Sequence, residues 1–186
     1  MKKIIAGIVV AACSWMTQAA SLVINGDFTD GLNGWDEVAP ANTASQHGVI
    51  TFGSSTNKFY SVGTTEPTSL SQSLNTVAGT RYDLSFQLRA ITAPESLKNF
   101  SKVVFGSATY FPLSYDDGSF TTFTYKGLLA GPALTTLTFT ASSDKSFVHL
   151  DNVSVQVSAV PEPETYAMLL LGIGFIGCAM QRRRKA

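Results

Sequence analysis

Few residues of this chain could carry acid–base or nucleophilic chemistry. The 186-residue sequence contains two histidines, His47 and His149, and two cysteines, Cys13 and Cys178. Neither histidine has Ser or Asp neighbours that predict a nucleophile elbow or a catalytic triad. His149 also alternates in phase with Phe147 and Asp151, which favours a place on a strand over a role as a base. We therefore predict that the protein is not an enzyme.

Acidic residues leave one minor catalytic alternative open. Strands can bring distant carboxylates within the roughly 5–10 Å that glycoside hydrolysis needs, so sequence spacing alone does not test a hydrolase. Only three Glu lie between residues 21 and 158, which makes that alternative weak. Asp116-Asp117-Gly118 is typical of a hairpin turn and equally of a loose cation site.

Aromatic residues point to binding. Sugar recognition uses aromatic faces for the apolar side of a ring and small polar groups for its hydroxyls. The candidate ring contacts are Phe59, Tyr60, Tyr110 and Tyr115, and the segment 109–115 is the richest in them. The alternative is that these rings pack the two faces of a strand.

Ser and Thr make up 37 of the 138 residues from Ser21 to Ser158, a composition compatible with a solvated sheet face, with O-linked sugars or with a water-ordering surface. The Thr spacing over 135–140 is too short to indicate ice binding.

The elements that would position these side chains are strands. Residues 81–90 alternate apolar and polar without a fault, which predicts a strand with one buried face. Shorter strand patterns occur at 22–24, 49–52, 59–62, 70–74, 103–105, 121–125 and 137–141. Residues 147–157 change phase, which predicts a bulge near Asp151. With almost no helical period between residues 21 and 158, the fold class is all-β, a two-sheet jelly-roll sandwich.

Both ends of the chain read as targeting segments. Lys2 and Lys3, an apolar stretch and small residues predict a signal peptide over residues 1–20, recognised by the Sec machinery and a signal peptidase. A lipobox-like run ending at Cys13 is the rival, with a lipidated N-terminus. At the other end, 159–165 form a Pro-Glu-Pro spacer, 166–181 a short transmembrane helix, and 182–186 a basic cytoplasmic tail.

The segment between the ends, residues 21–158, is the working domain. Eleven acidic residues outnumber seven basic ones between residues 21 and 160, which argues against nucleic acid as a partner. Both cysteines lie in the targeting segments, so the domain has no disulfide.

The C-terminal pattern resembles the PEP-CTERM sorting signal of Gram-negative bacteria. The residues that carry the resemblance are the motif Val160, Pro161, Glu162 and Pro163, the apolar run from Tyr166 to Met180, and the Arg-rich end. The resemblance implies recognition by an exosortase in the inner membrane, with the domain periplasmic in transit and later at the cell surface or outside the cell. The same tail occurs on proteins named as ice-binding, and bacteria that carry it tend to make exopolysaccharide.

A second resemblance covers the domain. Residues 22–28 and Gly31-Leu32-Asn33-Gly34-Trp35 are similar to the opening of galactose-binding-like jelly rolls, which include carbohydrate-binding modules of families 4, 9 and 22. Segments 70–74, 79–86 and 149–155 fit the same scheme in order.

The second resemblance also implies a metal. Such domains often hold a structural calcium, for which Asp27 and Asp151 match, with Asn25 and Asn152 as further oxygen donors. The family commonly has Glu where this chain has Thr29, and the alternative is that both Asp side chains cap turns. In the same domain, Phe28 and Trp35 are expected to be core anchors rather than a sugar platform.

These observations predict an exported, non-catalytic protein that binds extracellular polysaccharide and is held to the membrane through its C-terminal helix. The other hypothesis is a structural biofilm-matrix protein that acts by adhesion through protein contacts.

Overall fold

A computed structural model describes residues 20–41, 43, 46–51, 56–91, 99–112, 118–143, 146–159, 171–173 and 181. The described part contains ten strands: β1 (Asp36–Val38), β2 (His47–Thr51), β3 (Lys58–Val62), β4 (Thr68–Leu74), β5 (Arg81–Ala90), β6 (Asn99–Phe105), β7 (Ala108–Tyr110), β8 (Thr121–Leu129), β9 (Thr135–Ser143) and β10 (Val148–Val157).

The strands form two antiparallel sheets of five strands each. Sheet 1 has the order β1-β4-β9-β6-β7, and sheet 2 has the order β2-β3-β10-β5-β8. Strands distant in sequence are neighbours in both sheets, as in a jelly-roll sandwich. The all-β prediction is therefore confirmed, with two sheets packed face to face.

The core lies between the sheets and follows the alternation of the strands. The inward side chains of β5, Tyr82, Leu84, Phe86, Leu88 and Ala90, are at most 3 % exposed. They meet Leu70, Phe105 and Leu137 of sheet 1, which are at most 1 % exposed. Burying each large side chain contributes roughly 1.5–3 kcal/mol, so this double layer is the main source of stability.

Most strand predictions are confirmed: β5 has the predicted bounds, β10 begins one residue later, and the others begin or end one to four residues beyond the predicted range. The bulge predicted near Asp151 is present, because the register between β10 and β5 shifts between Asp151 and Ser154. The short strand β1 was not predicted, and β7 covers only the start of the strand given as the alternative for residues 109–115. Each has only three residues at the edge of sheet 1, too few for a period to show.

The predicted strand over residues 22–24 was wrong, because these residues form bends. The side-chain amide of Gln72 takes both backbone groups of Ile24, accepting from its N–H at 2.8 Å and donating to its carbonyl at 3.0 Å. A neighbouring strand would otherwise bond these groups. The segment contacts β10 through one backbone bond, from Leu22 N to Val155 O at 2.8 Å.

The predicted loop anchors are confirmed. Phe28 is fully buried and Trp35 is 7 % exposed, with ring centroids 5.7 Å apart. The indole N–H of Trp35 donates to the carbonyl of Asn25 at 3.1 Å, which closes the loop over residues 25–35. These rings pin the start of the domain to the sandwich.

Candidate functional site

Polar and aromatic side chains from several strands lie together on the outer face of sheet 2, an arrangement that no single sequence motif predicted. Alternation along β5 sends Gln87 and Arg89 outward while Leu88 enters the core. The register places Thr122 of β8 opposite Gln87, and His149 of β10 opposite Arg89. Side chains from three strands therefore meet on one surface.

A hydrogen-bonded line of side chains crosses this face, and we call Asn152, Gln87 and Thr122 the amide row. Asn152 Nδ2 donates to Gln87 Oε1 at 2.9 Å, and Gln87 Nε2 donates to Thr122 Oγ1 at 3.2 Å. Asn152 and Thr122 are exposed and Gln87 is half-buried. An amide has two donors and an oxygen with two lone pairs, so each keeps capacity for a further ligand.

An aromatic and cationic cluster borders the amide row. The guanidinium of Arg89 lies 5.4 Å from the ring centroid of Phe59 and 4.9 Å from that of Phe120. The two rings contact each other edge to face at 5.8 Å. Phe59 is 2 % exposed, whereas Phe120 is half-buried and keeps part of its surface open. The cluster fixes an apolar surface beside the amides.

Arg89 fixes the tautomer of the neutral His149 ring. Its Nδ1 accepts hydrogen bonds from Arg89 Nε at 3.2 Å and Nη2 at 2.8 Å, so the neutral ring carries its proton on Nε2. Burial and, secondly, the charge of Arg89 lower the pKa of His149 to about 4. The ring is therefore neutral near pH 7.

This tautomer does not suit base catalysis. In a triad, Nδ1–H donates to a carboxylate and Nε2 takes the proton of a serine. Ser61 is the cross-strand neighbour of His149, and the buried Ser61 Oγ and His149 Nε2 both lack a hydrogen-bond partner. Because Nε2 already carries the proton, it cannot take another from Ser61.

Of the two acids predicted to bind calcium, Asp27 lies near enough for its charge to act on Asp151. The Asp151 side chain is buried, and Asn57 Nδ2 donates to its Oδ2 at 3.0 Å while the backbone N–H of Asn152 donates to Oδ1 at 2.7 Å. Burial and, more weakly, the charge of Asp27 raise the pKa of Asp151 despite these two bonds. A divalent cation would relieve the repulsion between the Asp27 and Asp151 carboxylates. Carboxylate oxygens are also the type of ligand that a hard cation such as calcium takes.

The other two predicted ligands are engaged elsewhere. The side chain of Asn25 donates to the carbonyls of Gly31 and Asn33 and accepts from the N–H of Asp30. The side chain of Asn152 belongs to the amide row. Among the described residues, no group of three or more His, Cys, Asp or Glu is placed to hold a metal.

The four predicted ring contacts lie in different surroundings. Tyr60 is 3 % exposed in the core, which leaves no face for a sugar. Tyr110 points between the sheets and stacks on Tyr125 at 4.2 Å, half-buried. Phe59 lies in the Arg89 cluster, and Tyr115 falls outside the described residues. Phe59 is only 2 % exposed, so it supports Phe120 and Arg89 from below and offers no open face itself. The sequence patterns did not predict Phe120, Arg89 or the amide row as parts of a site.

The C-terminal end of the domain is tied down just before the sorting motif. The backbone N–H of Ser158 donates to the carbonyl of Arg81 at 2.9 Å, and its hydroxyl donates to Asp83 Oδ1 at 2.5 Å. The motif residues 160–163 lie outside the described part of the chain.

Residues 159–185 match the family model described as the PEP-CTERM protein-sorting motif. The chain carries a PEP-CTERM sorting signal. Such a signal implies export to the cell surface or the extracellular space. Within the described residues, no helix has the length and apolar character needed to span a bilayer.

Solved structures with a similar fold include several carbohydrate-binding modules. TmCBM61, solved in complex with beta-1,4-galactotriose, is 12 % identical and has a TM-score of 0.55, over 75 % of this chain and 100 % of that one. A CBM4 structure is 13 % identical with a TM-score of 0.52, over 73 % and 99 % of the two chains.

An adhesin domain shares the fold as well. The K3 adhesin domain of Lys-gingipain from Porphyromonas gingivalis W83 is 13 % identical with a TM-score of 0.53, over 74 % of this chain and 98 % of that one. At these identities the likeness shows the fold alone. No curated protein matches the sequence.

Proposed function

We propose that this PEP-CTERM protein is an exported, non-catalytic carbohydrate-binding protein whose binding surface is the outer face of sheet 2. The observation that carries the proposal is the amide row beside the Arg89 cluster, where Gln87 and Asn152 present polar groups next to the partly open ring of Phe120. The Sec machinery, signal peptidase and an exosortase are its proposed partners during export.

The chemistry of this face suits a sugar. A pyranose offers neighbouring hydroxyls, which act as donors and acceptors, and patches of C–H that pack on aromatic rings. The two amides supply both donors and acceptors, and the Thr122 hydroxyl extends them along one line. Arg89 stiffens the aromatic border because its guanidinium contacts both Phe59 and Phe120.

Two observations support the choice of ligand class and the absence of catalysis. The fold is shared with carbohydrate-binding modules, one of which was solved with a galactotriose. As for catalysis, His149 Nε2 already carries a proton, so this buried imidazole cannot act as a base for Ser61.

The test is retention of the purified full-length protein in mild detergent on a panel of soluble polysaccharides, measured by affinity electrophoresis. The Gln87→Ala variant should weaken retention about tenfold, because the loss of its hydrogen bonds costs on the order of 1–1.5 kcal/mol. Thr138→Ala on the outer face of sheet 1 is the matched control and should bind like the parent.

Each other outcome has a stated meaning. Retention that falls for Tyr110→Ala or Tyr115→Ala but not for Gln87→Ala would move the site to the 109–115 segment. Retention on no polysaccharide would contradict the proposal and favour the alternative, a matrix protein that acts by protein contacts.

A further inference from the structure

The end of the sandwich from which the sorting signal leaves is apolar and basic, and we call it the exit end. It consists of the loop 75–80, residues 129–134 at and after the end of β8, and the last residues of β10. Thr76 Oγ1 donates to the carbonyl of Ala133 at 3.1 Å, and Ala130 N donates to Thr80 O at 3.0 Å. Val157 pairs with Tyr82 at the start of β5. These contacts place the three segments side by side.

Four large apolar side chains project from the exit end into solvent. Val77 is 66 % exposed, Leu134 60 %, Leu129 58 % and Val157 50 %. Isolated apolar residues on a surface need no explanation, but four on adjoining segments form a patch that marks an interaction surface.

Basic side chains flank this patch. Arg81 and Lys126 are both exposed beside it on β5 and β8. One oxygen of the nearby Asp83 carboxylate, Oδ1, accepts hydrogen bonds from Ser158 Oγ and from the N–H of Gly127. Although partial burial alone would raise it, the pKa of Asp83 is lowered by these bonds and by the charge of Lys126.

The short chain between the domain and the sorting signal indicates that the bilayer lies opposite the patch. Ser158 is bonded to β5, and the apolar run of the sorting signal starts at Tyr166. The seven residues between them, 159–165, span at most about 25 Å when fully extended. The exit end therefore stays close to the bilayer once the apolar run has entered it. The spacer itself carries Glu162 and Glu164, so cations that face anionic headgroups must come from the domain.

We propose that the exit end is a membrane-docking surface, which rests on anionic phospholipid headgroups while the sorting signal is still attached. Val77, Leu129, Leu134 and Val157 enter the headgroup region, and Arg81 and Lys126 contact lipid phosphates. Apolar side chains combined with cations are the pairing by which protein surfaces bind the bilayer interface. Docking in this way orients the sandwich and presents the sorting motif at the bilayer surface.

Fluorescence quenching in nanodiscs tests this docking on the full-length chain. With Cys13 and Cys178 replaced by Ser, an environment-sensitive label is attached through Leu134→Cys or, as the control, through Ile91→Cys. Ile91 is also an exposed apolar residue, but it lies beside Phe147 at the opposite end of the ten-residue β10, roughly 30 Å away. The nanodiscs contain phosphatidylglycerol and phosphatidylethanolamine with a lipid quencher placed near the headgroups.

The expected result is quenching at position 134 at least about twofold stronger than at position 91, since interfacial insertion reaches only some 5–10 Å deep. Lys126→Gln should reduce the quenching at position 134 in anionic nanodiscs and leave it unchanged in phosphatidylcholine nanodiscs. Equal quenching at both positions, or none at position 134, would overturn the proposal and leave the patch to a protein partner. Polysaccharide retention is measured separately, so either proposal can fail alone.

Discussion

Tyr60 on sheet 2 donates a hydrogen bond of 2.5 Å to Glu37 Oε1 on sheet 1. The same carboxylate oxygen lies 2.9 Å from His47 Nδ1 on β2. Burial, followed by the hydrogen bond and charge of Glu37, raises the pKa of Tyr60. At the opposite edge of the sandwich, Tyr110 of β7 stacks on Tyr125 of β8 at 4.2 Å. A tyrosine contact therefore joins the two sheets at each edge, Tyr60 with Glu37 at one and Tyr110 with Tyr125 at the other.

Removal of the Tyr60 hydroxyl should loosen the edge formed by β1 and β2. Tyr60→Phe keeps the ring but removes one of the two hydrogen-bond partners of Glu37 Oε1, which costs about 1–2 kcal/mol of unfolding free energy. Urea unfolding measures the loss. Tyr110→Phe keeps its stacking on Tyr125 and should change stability by less, so equal losses in the two variants would contradict the proposed edge role of Tyr60.

Gly26 should tolerate no side chain. A Cβ at this position would lie 2.0 Å from the carbonyl oxygen of Val153, a backbone atom that cannot turn aside, and Gly26 O accepts from Val153 N at 2.9 Å. Gly26→Ala is therefore expected to cost at least about 2 kcal/mol. Gly31, with φ of 59° and open space around it, is the control: Gly31→Ala costs about 1 kcal/mol from backbone strain alone. If Gly26→Ala were as stable as Gly31→Ala, the loop 25–35 would be able to move away from the β10 bulge without cost, and the prediction would be wrong.

Stability should fall as the pH is lowered from about 6.5 to about 4. The folded pKa of His149 is about 4, below the unfolded value near 6.5, so the unfolded chain binds more protons in this window. The loss over the window is about 3 kcal/mol at most. Unfolding midpoints measured across this range should change less steeply with pH in His149→Gln than in the parent. A His149→Gln variant with an unchanged slope would show that other groups cause it.

Calcium should stabilise the domain through the two neighbouring carboxylates. Adding Ca²⁺ is expected to raise the melting midpoint by several degrees, and a chelator should reverse the change. Asp151→Asn should abolish this response, because it removes one carboxylate of the pair. Asp36→Asn on exposed β1 is the control and should respond like the parent. A midpoint that is the same with calcium and with chelator would exclude the metal.

Local sequence patterns were sufficient where one face of a strand is buried. The alternation over residues 81–90 predicted β5 and its two faces, because successive side chains of a strand point to opposite sides. The phase change near Asp151 predicted the bulge for the same reason. The sorting signal is also readable from sequence, since the motif is one continuous segment, residues 159–185.

The candidate site depended on contacts between distant residues. Gln87 and Arg89 were predicted to face outward, but their partners come from sequence separations of 31 to 65 residues: Phe120 by its ring, Asn152 by its amide. Tyr60, predicted as a ring contact, is part of the core. The alternation of side chains along a strand shows which residues share a face, but it does not show which face is buried.

The sequence by itself determined the fold class, the side-chain alternation of the long strands and the sorting signal at the C-terminus, because each depends on residues that are close in sequence. Only the tertiary structure decided which side chains meet: the amide row on sheet 2, the Tyr60–Glu37 bond between sheets and the apolar exit end. The physical reason is strand order. In both sheets, strands far apart in sequence lie side by side, and no local pattern encodes which strand will be the neighbour of which.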